Sequence, residues 1–489
     1  MDAASAAASS LKTVKALTIS TTQKISNPTA FIPPWLSTKP NILTLYASNS
    51  SSRNSVLRLT RCSTKPDTNT GNETDQNSTI EPDSNSKTLK PTSPISDESL
   101  SSLSPLSSSA SSSSSRGLVF GLGPANSWDS AEIGSPVVKR FLSDEEERWY
   151  MWYYGRSNGN PASDSIGLAV SRNGIHWERG GGAIGSSGEA GSVMSCSKDW
   201  WAFDTENIRP CEVVVMSSTK VRASSAVYWL YYTGYSSEKA EFSENSLEFS
   251  LKNPERFCID DVNGETDGVE KISKSLPGLA ISQDGRHWAR IEGEHHSGAL
   301  FDVGSEREWD NSFIAAPQVV FHGSGDLRMY YHSFDLENGE FGIGIARSRD
   351  GIKWVKMGKI MGGGGSGSFD QLGVMNARVV RNRKDGKYVM AYEGVAADGG
   401  RSIGLAVSST GLKDWQRLQD EAAALMASVE DGWDNEGVGS PYLVQMDGDV
   451  DEWRLYYRGV GNGGRTGIGM AVSQGSDITS FRRWTGFHI

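Results

Sequence analysis

The chain has 489 residues and a net charge of −11, from 48 Lys or Arg against 59 Asp or Glu. That balance disfavours nucleic acid or an anionic lipid surface as the main partner. No apolar run reaches the ~18 residues that a membrane-crossing helix needs. The four cysteines, Cys62, Cys196, Cys211 and Cys258, have neither CxxC nor metal-ligand spacing and read as buried thiols.

Residues 1–65 carry eight Lys or Arg against a single acid, Asp2, in a Ser-, Thr- and Ala-rich stretch. Such a segment cannot bury enough apolar surface to fold alone, and it reads as an organelle transit peptide. The run VLRLTRCS before Thr64 suits a plastid cleavage region. The expected address is the chloroplast stroma, with the mitochondrion as the alternative. Residues 66–116 are rich in Ser, Thr, Asn and Pro and end in SSSASSSSSR, the composition of a disordered linker. The +7 of the presequence leaves −18 for the rest of the chain. The ordered part is expected over residues 117–489.

From there one unit is written five times. Its opening phrase occurs as SWDSAEIGSPVV from Ser127, AFDTENIRPCEVV from Ala202, EWDNSFIAAPQVV from Glu308, SFDQLGVMNARVV from Ser368 and GWDNEGVGSPYLV from Gly432. An aromatic strand follows each time: RWYMWYYG, VYWLYYTG, LRMYYHS, KYVMAYEG and WRLYYRG. A glycine-led strand comes third, as in IGLAVS at Ile166, and a turn with a short Trp-bearing strand comes fourth, as in RNGIHW. Alternating apolar positions, aromatic and β-branched enrichment and Asn-Gly or Asp-Gly turns predict antiparallel strands. Four strands repeated five times predict an all-β fold, a five-bladed β-propeller with four antiparallel strands per blade. The opening phrase is the expected innermost strand, where small residues suit the crowding at the axis. One interval is stretched by an insertion over residues 236–275, with ten acidic residues against five basic ones.

The five copies serve as controls for one another. A feature in all five must serve the blade, so Asp129, Asp204, Asp310, Asp370 and Asp434 are expected to tie turns through nearby backbone N–H groups. A feature in one or two copies can serve a site. Just after the repeated Asp, the fifth, first and second copies offer Glu436, Glu132 and Glu206. Arg209 is the only charge at its aligned position. The residue before the turn of strand two also varies: Tyr154, Thr233, His332, Glu393, Arg458. Carboxylates at a propeller mouth can perform glycoside chemistry, one donating a proton to the leaving oxygen and another attacking the anomeric carbon or activating water. Glu132, Glu206, Glu436 and Glu393 are the candidate catalytic residues, and Arg209, His332, Arg458 and Tyr154 the candidate substrate-binding residues. No cofactor or metal motif is present. The acidic side chains near the axis could hold a structural cation, but no ligand spacing requires one.

The SP-x-V and AP-x-V opening strands with the YY-x-G second strands resemble the five-bladed furanosidase superfamily of arabinanases, β-xylosidases, levansucrases and invertases, over the whole of residues 117–489. The resemblance implies an Asp base or nucleophile, an Asp that tunes pKa and a Glu acid on innermost strands of consecutive blades. On this chain those are the Asp129/Glu132 region, then Asp204/Glu206, then the third copy. The third copy departs, since DNSFIAAPQVV has no glutamate, and the RDP triplet of levansucrases and invertases is also missing. Either the triad sits on the fifth, first and second blades, or Glu393 serves as the acid, or hydrolysis has been lost. YEGV and YRGV resemble the mannoside phosphorylase branch, in which His332 and Arg458 would bind phosphate. The expected function is therefore glycosidase-like, on a small glycan or furanoside. The alternatives are a non-catalytic propeller binding carbohydrate or a plastid protein, and a phosphorolytic glycosidase.

Overall fold

The computed structural model of the chain describes residues 43–46, 115–142, 147–180, 190–218, 227–241, 271–323, 325–419, 422–429, 432–446, 452–475 and 477–486. The presequence and linker fall outside these residues except at 43–46 and 115–116, as does 242–270 of the insertion. Apart from one short 3-10 turn (Asn462–Gly464), strand is the only regular secondary structure among the described residues, and there is no α-helix among them.

Two short strands come first, β1 (Leu43–Tyr46) and β2 (Leu118–Phe120). The first meander is β3 (Glu132–Leu142), β4 (Glu147–Ser157), β5 (Asn160–Ser171) and β6 (Trp177–Arg179), with β7 (Ser192–Met194) also on β5. The second is β8 (Asn207–Ser218), β9 (Val227–Glu241), β10 (Lys271–Ser282) and β11 (Ala289–Ile291), with β1 paired to β8. The third is β12 (Ala315–Gly323), β13 (Asp326–Asp335), β14 (Glu340–Ser348) and β15 (Val355–Met361). The fourth is β16 (Gly373–Arg381), β17 (Tyr388–Val395), β18 (Arg401–Ser408) and β19 (Gln416–Arg417). The fifth is β20 (Gly437–Gln445), β21 (Trp453–Gly461), β22 (Arg465–Gln474) and β23 (Asp477–Arg483), and β2 pairs with β22 beside it.

Each first strand touches the first strand of the next meander, and β20 touches β3. The turns before the Trp-bearing strands dock onto the neighbouring second strand. Trp152 Nε1 donates to Gly285 O, Tyr231 OH to Gly351 O, Tyr330 OH to Gly411 O and Tyr456 OH to Gly174 O, at 2.6–3.0 Å. The fourth meander has Ala391 at the aligned position, and the turn it would hold, in SDITSFRRW, is the one that departs from the repeat. Donor and docking turn change together.

The repeated Asp residues serve every meander, but through partners other than the backbone N–H groups expected. Asp129, Asp204, Asp310, Asp370 and Asp434 are all buried. Each accepts a bond from the tyrosine of its second strand (Tyr153, Tyr232, Tyr331, Tyr392, Tyr457) at 2.9–3.1 Å. Each also pairs with a cation near its fourth strand: Arg179, Arg290, Lys356, Arg417 or Arg483, at 2.7–3.0 Å. Burial, and then the adjacent carboxylate, push these phenols well above their ordinary pKa, so each tyrosine stays a donor. The Trp or Phe before each Asp lies over the same tyrosine, ring centroids 5.3–6.1 Å apart. The conserved vocabulary of the five copies is thus one buried ion pair with an aromatic cover.

A single carboxylate joins the first strands of all five meanders. Glu212 on β8 meets Lys139 Nζ of β3 at 2.5 Å, Gln318 Nε2 of β12 at 3.0 Å and Tyr442 OH of β20 at 3.3 Å, and it pairs with Arg378 of β16. Arg378 also donates to Tyr442 OH at 2.7 Å. All five residues are at most 5% exposed. Removing one partner of a buried pair strands the others uncompensated, at a cost of about 3–5 kcal/mol. Glu212→Ala should therefore lose at least about 3 kcal/mol in urea unfolding, or fail to fold, because Lys139 and Arg378 would face each other bare. A loss below about 1 kcal/mol would show that the hub does not hold the meanders together.

Candidate functional site

The pairing register sets a ring of side chains at one end of the first strands. Gly134 lies opposite Tyr154, Arg209 opposite Thr233, Ala315 opposite His332, Met375 opposite Glu393 and Gly439 opposite Arg458. The register shifts immediately afterwards in every copy, a β-bulge that re-aims the strand. Ser135, Ala316, Asn376 and Ser440 take left-handed φ values of 46–51° there, while the second copy has Pro210. Four non-glycine residues held in that region mark a constraint of the fold rather than a local accident.

The bulge leaves a backbone N–H that the preceding meander satisfies. Thr233 Oγ1 accepts from Ala316 N at 2.9 Å, His332 Nδ1 from Asn376 N at 3.2 Å and Glu393 Oε2 from Ser440 N at 2.8 Å. The variable residues of strand two are, at three junctions, the fasteners between meanders. Two glycines make room for members of the same ring. A Cβ at Gly134 would lie 2.6 Å from Arg458 Cδ, and one at Gly439 would strike the Glu393 carboxylate.

The first, second and fifth meanders share an ionic cluster. Glu132 accepts from Tyr154 OH at 2.7 Å and Arg458 Nη2 at 2.8 Å, and Arg156 Nη1 lies 3.1 Å away. Arg156 also meets Asp164 at 2.7 Å, and Asp164 meets Arg209 at 3.1 Å. The Arg209 guanidinium lies 4.4 Å from the Tyr154 ring centroid. Burial alone would raise the Glu132 pKa, but Arg458, Arg209 and Arg156, with the Tyr154 bond, outweigh it and hold it below the ordinary value. Glu132 is therefore an anion and an acceptor, unsuited to donating a proton.

Around Glu393, Asn376 Nδ2 donates at 2.8 Å and Arg401 Nη1 at 3.0 Å, alongside the Ser440 N–H. Glu393, Arg401, Glu436 and Arg458 line a pocket of about 160 Å³ floored by Gly437, Val438 and Gly439. Glu436 is exposed and accepts a 3.3 Å bond from Gly463 N–H. Glu206 is half-buried, with its N–H paired to Tyr235 O. The structure thus brings Glu132, Tyr154, Arg209 and Arg458 together in one cluster, and Glu393, Glu436 and Arg458 in one pocket. Glu206 and Glu436 occupy the rim and Glu132 the interior. They sit two and three positions after the repeated Asp, and neighbouring strand residues face opposite ways.

Sequence reasoning missed Asp164, Arg156, Arg401 and the Glu212 hub. The same comparison between copies could have found them. Two residues before the third-strand motif stand Asp164, Ser275, Phe341, Arg401 and Thr466, as varied as the strand-two ring. At the position of Glu212 stand Val137, Gln318, Arg378 and Tyr442. The third copy shows the contrast most plainly. Where the first has Glu132, Arg156 and Asp164, the third has Phe313, Phe334 and Phe341, all buried with Met375 in an apolar cluster. Among the described residues no group of three or more His, Cys, Asp or Glu is placed to hold a metal ion. The Cys196 and Cys211 side chains are half-buried, and each sulfur lies within hydrogen-bonding distance of a backbone carbonyl.

The depressed Glu132 pKa fixes a direction for acid sensitivity. Its ion pairs contribute stability that is fully present above the unfolded value near 4.5 and is lost as pH falls through the lower folded value. Glu132→Gln should lower the melting temperature at pH 7, and its gap from the unaltered protein should shrink below pH 4. A gap that stayed constant across that range would remove the ionised Glu132 from the cluster.

Neither a family model nor a curated protein matches this chain. Similar solved structures include one described as a glycoside hydrolase, 16% identical, covering 73% of this chain and 92% of its own, with a TM-score of 0.49. A thermostable family-43 glycoside hydrolase is 16% identical over 70% of this chain and 89% of its own, at 0.45. A third is described as showing that the GH130 family of mannoside phosphorylases contains glycoside hydrolases targeting beta-1,2 mannosidic linkages in Candida mannan. It is 15% identical over 77% of this chain and 96% of its own, at 0.47. At these identities and scores the likenesses assign neither activity nor substrate to this chain.

Proposed function

We propose that the five meanders are the blades of a five-bladed β-propeller whose mouth is a carbohydrate site with glycosidase-type chemistry. The cyclic succession of first strands around Glu212 supports the five-bladed reading. The pocket between the fourth and fifth meanders carries the chemical one. In it a carboxylate fixed by three donors, Glu393, shares a wall with an exposed carboxyl group, Glu436, which pairs with no cation among the described residues. Glu436 is the group free to protonate a leaving glycosidic oxygen. Glu393 is the fixed acceptor that directs water or faces the developing positive charge at the anomeric carbon. The arginines on either side suit hydroxyl or acidic groups of a small glycan.

A second reading, a propeller that binds carbohydrate without cleaving it, rests on the fastening bonds. Thr233, His332 and Glu393 each hold the next meander, a structural duty that competes with catalysis. A phosphorolytic reading draws less support, because His332 and Arg458 are engaged by Asn376 N–H and Glu132. We also infer that residues 1–65 direct the chain to the chloroplast stroma, on the composition of that segment.

The decisive assay is hydrolysis of an aryl-glycoside panel (arabinofuranoside, xyloside, fructoside surrogate, mannoside, galactoside), with and without phosphate. Glu436→Gln should lower turnover by at least about a hundredfold with the fold intact. Glu393→Gln should lower both turnover and melting temperature, since it loosens a junction. Binding without turnover on every substrate would replace the first reading by the second, and an absolute phosphate requirement would restore the third. For the presequence, residues 1–65 fused to a fluorescent protein should accumulate in chloroplasts. Accumulation in mitochondria or the cytosol would overturn that address.

A further inference from the structure

Each meander is entered through a loop closed by the same backbone bond. The N–H of Gly123, Ser197, Gly304, Gly364 or Ser428 donates to the carbonyl of the repeated Asp that follows it, at 2.9–3.3 Å. The stretches between the closing residue and the [Trp/Phe]-Asp pair read PANS, KDWWA, SERE, GSGS and VEDG. The second is one residue longer and alone carries aromatic side chains, so the closure itself does not require them. Trp200 is 90% exposed and Trp201 43%. Indoles left in water forgo the burial that stabilises other large apolar side chains, and such a patch marks an interaction site.

The loop beneath them is pinned. Ala202 N–H donates to Asp199 O at 2.9 Å, Phe203 N–H to Ser297 O at 3.3 Å and Arg290 Nη2 to Ser195 O at 2.6 Å. The Cys196 Sγ lies 3.3 Å from Asp164 O and 3.2 Å from Glu206 O. Burial pushes that thiol up to about 12, so it keeps its proton and stays a donor. A Cβ at Gly298 would lie 3.8 Å from Trp201 Cζ3, so that ring rests beside the loop leading to the third meander. Rings carried on a fixed loop bind with little further ordering.

Position and size select the occupant. Glu206, at the rim of the mouth, follows Trp200 by six positions, at most about 22 Å of chain. Cys196 ties the same loop to Asp164, a member of the ionic cluster. In the second meander and its entry loop the two tryptophans are the only large apolar side chains exposed among the described residues. Two rings beside the exposed Lys198 and Asp199 fall far short of the ~20 residues a side that a stable protein interface uses. A sugar ring is matched to them, because its C–H face covers an indole while its edge hydroxyls stay in water.

We propose that Trp200, with Trp201 beside it, is a stacking platform for a glycan chain held at the mouth, so that the ligand is an oligosaccharide and not a free sugar. This rests on the reading of the mouth as a carbohydrate site.

The test is calorimetric titration of the full chain with tetrasaccharides of arabinose, xylose, fructose, mannose and galactose, and with the five free sugars. The unaltered protein is compared with the double variant Trp200→Ala, Trp201→Ala, whose exposed positions leave the fold intact. The double variant should bind the preferred tetrasaccharide at least about tenfold more weakly, with free-sugar binding unchanged. Equal tetrasaccharide affinities in the two proteins would overturn the platform and leave the carbohydrate reading of the mouth standing. If the unaltered protein binds no sugar of either length, both fall. Self-association of the unaltered chain in sedimentation velocity, lost in the double variant, would assign the rings to a second copy and overturn the platform.

Discussion

Five meanders whose first strands succeed one another face a problem that a single sheet does not, because those strands meet along edges that no further ladder joins. Here the meeting is made by one carboxylate. Glu212 draws a donor from each of the four other first strands, so these strands are held to one another there by charge and hydrogen bonds. Such a hub is a poor source of net stability, because desolvating three charges offsets much of what their attraction supplies. Its loss would nevertheless be costly, because without Glu212 the buried Lys139 and Arg378 would have no carboxylate between them.

The outer scaffold uses a different device, present in every meander. In each meander one oxygen of a buried Asp takes both the second-strand tyrosine and a cation near the fourth strand, so one side chain fixes the spacing of three segments. This is why the fold was legible in the sequence. Five copies of [Trp/Phe]-Asp and of the glycine-led strand, with Tyr-x-Gly in four of them and Tyr331-His332-Ser333 in the third, are the written form of one contact, and the alternating pattern gave the strands. The partners were less legible. The Asp residues were expected to bond backbone N–H groups, because the cation that pairs with each lies far along the chain, as Arg179 does from Asp129.

The mouth was legible as a set of varying positions but not as a set of roles. Comparing copies singled out Tyr154, Thr233, His332, Glu393 and Arg458, and all five are buried at the expected level. Variation was read as a sign of ligand contact, yet three of the five accept the bulge N–H of the next meander, and chemically different acceptors serve that purpose equally. The bulge itself is not visible in a single strand, since it arises from pairing. Likewise, Glu132, Glu206 and Glu436 look equivalent in an ungapped alignment, and a one-residue offset puts the first inside and the other two at the rim.

The contrast between the first and third meanders bears on how a ligand would be read. At three matched positions one copy has Glu132, Arg156 and Asp164 and the other Phe313, Phe334 and Phe341, so the same backbone carries an ionic wall on one side and a closed apolar plug on the other. The plug lies where the third and fourth meanders share their single parallel pair, Phe341 with Gly373, a junction too close to admit solvated side chains. Polar function is thereby confined to the arc from the fourth meander through the fifth to the second. Within that arc the arginines are bound to carboxylates before any ligand arrives, and a ligand must trade those bonds for its own. Recognition of this kind favours molecules that offer several hydroxyl or acidic groups in fixed geometry, because a single weak contact cannot offset the ion pair it displaces.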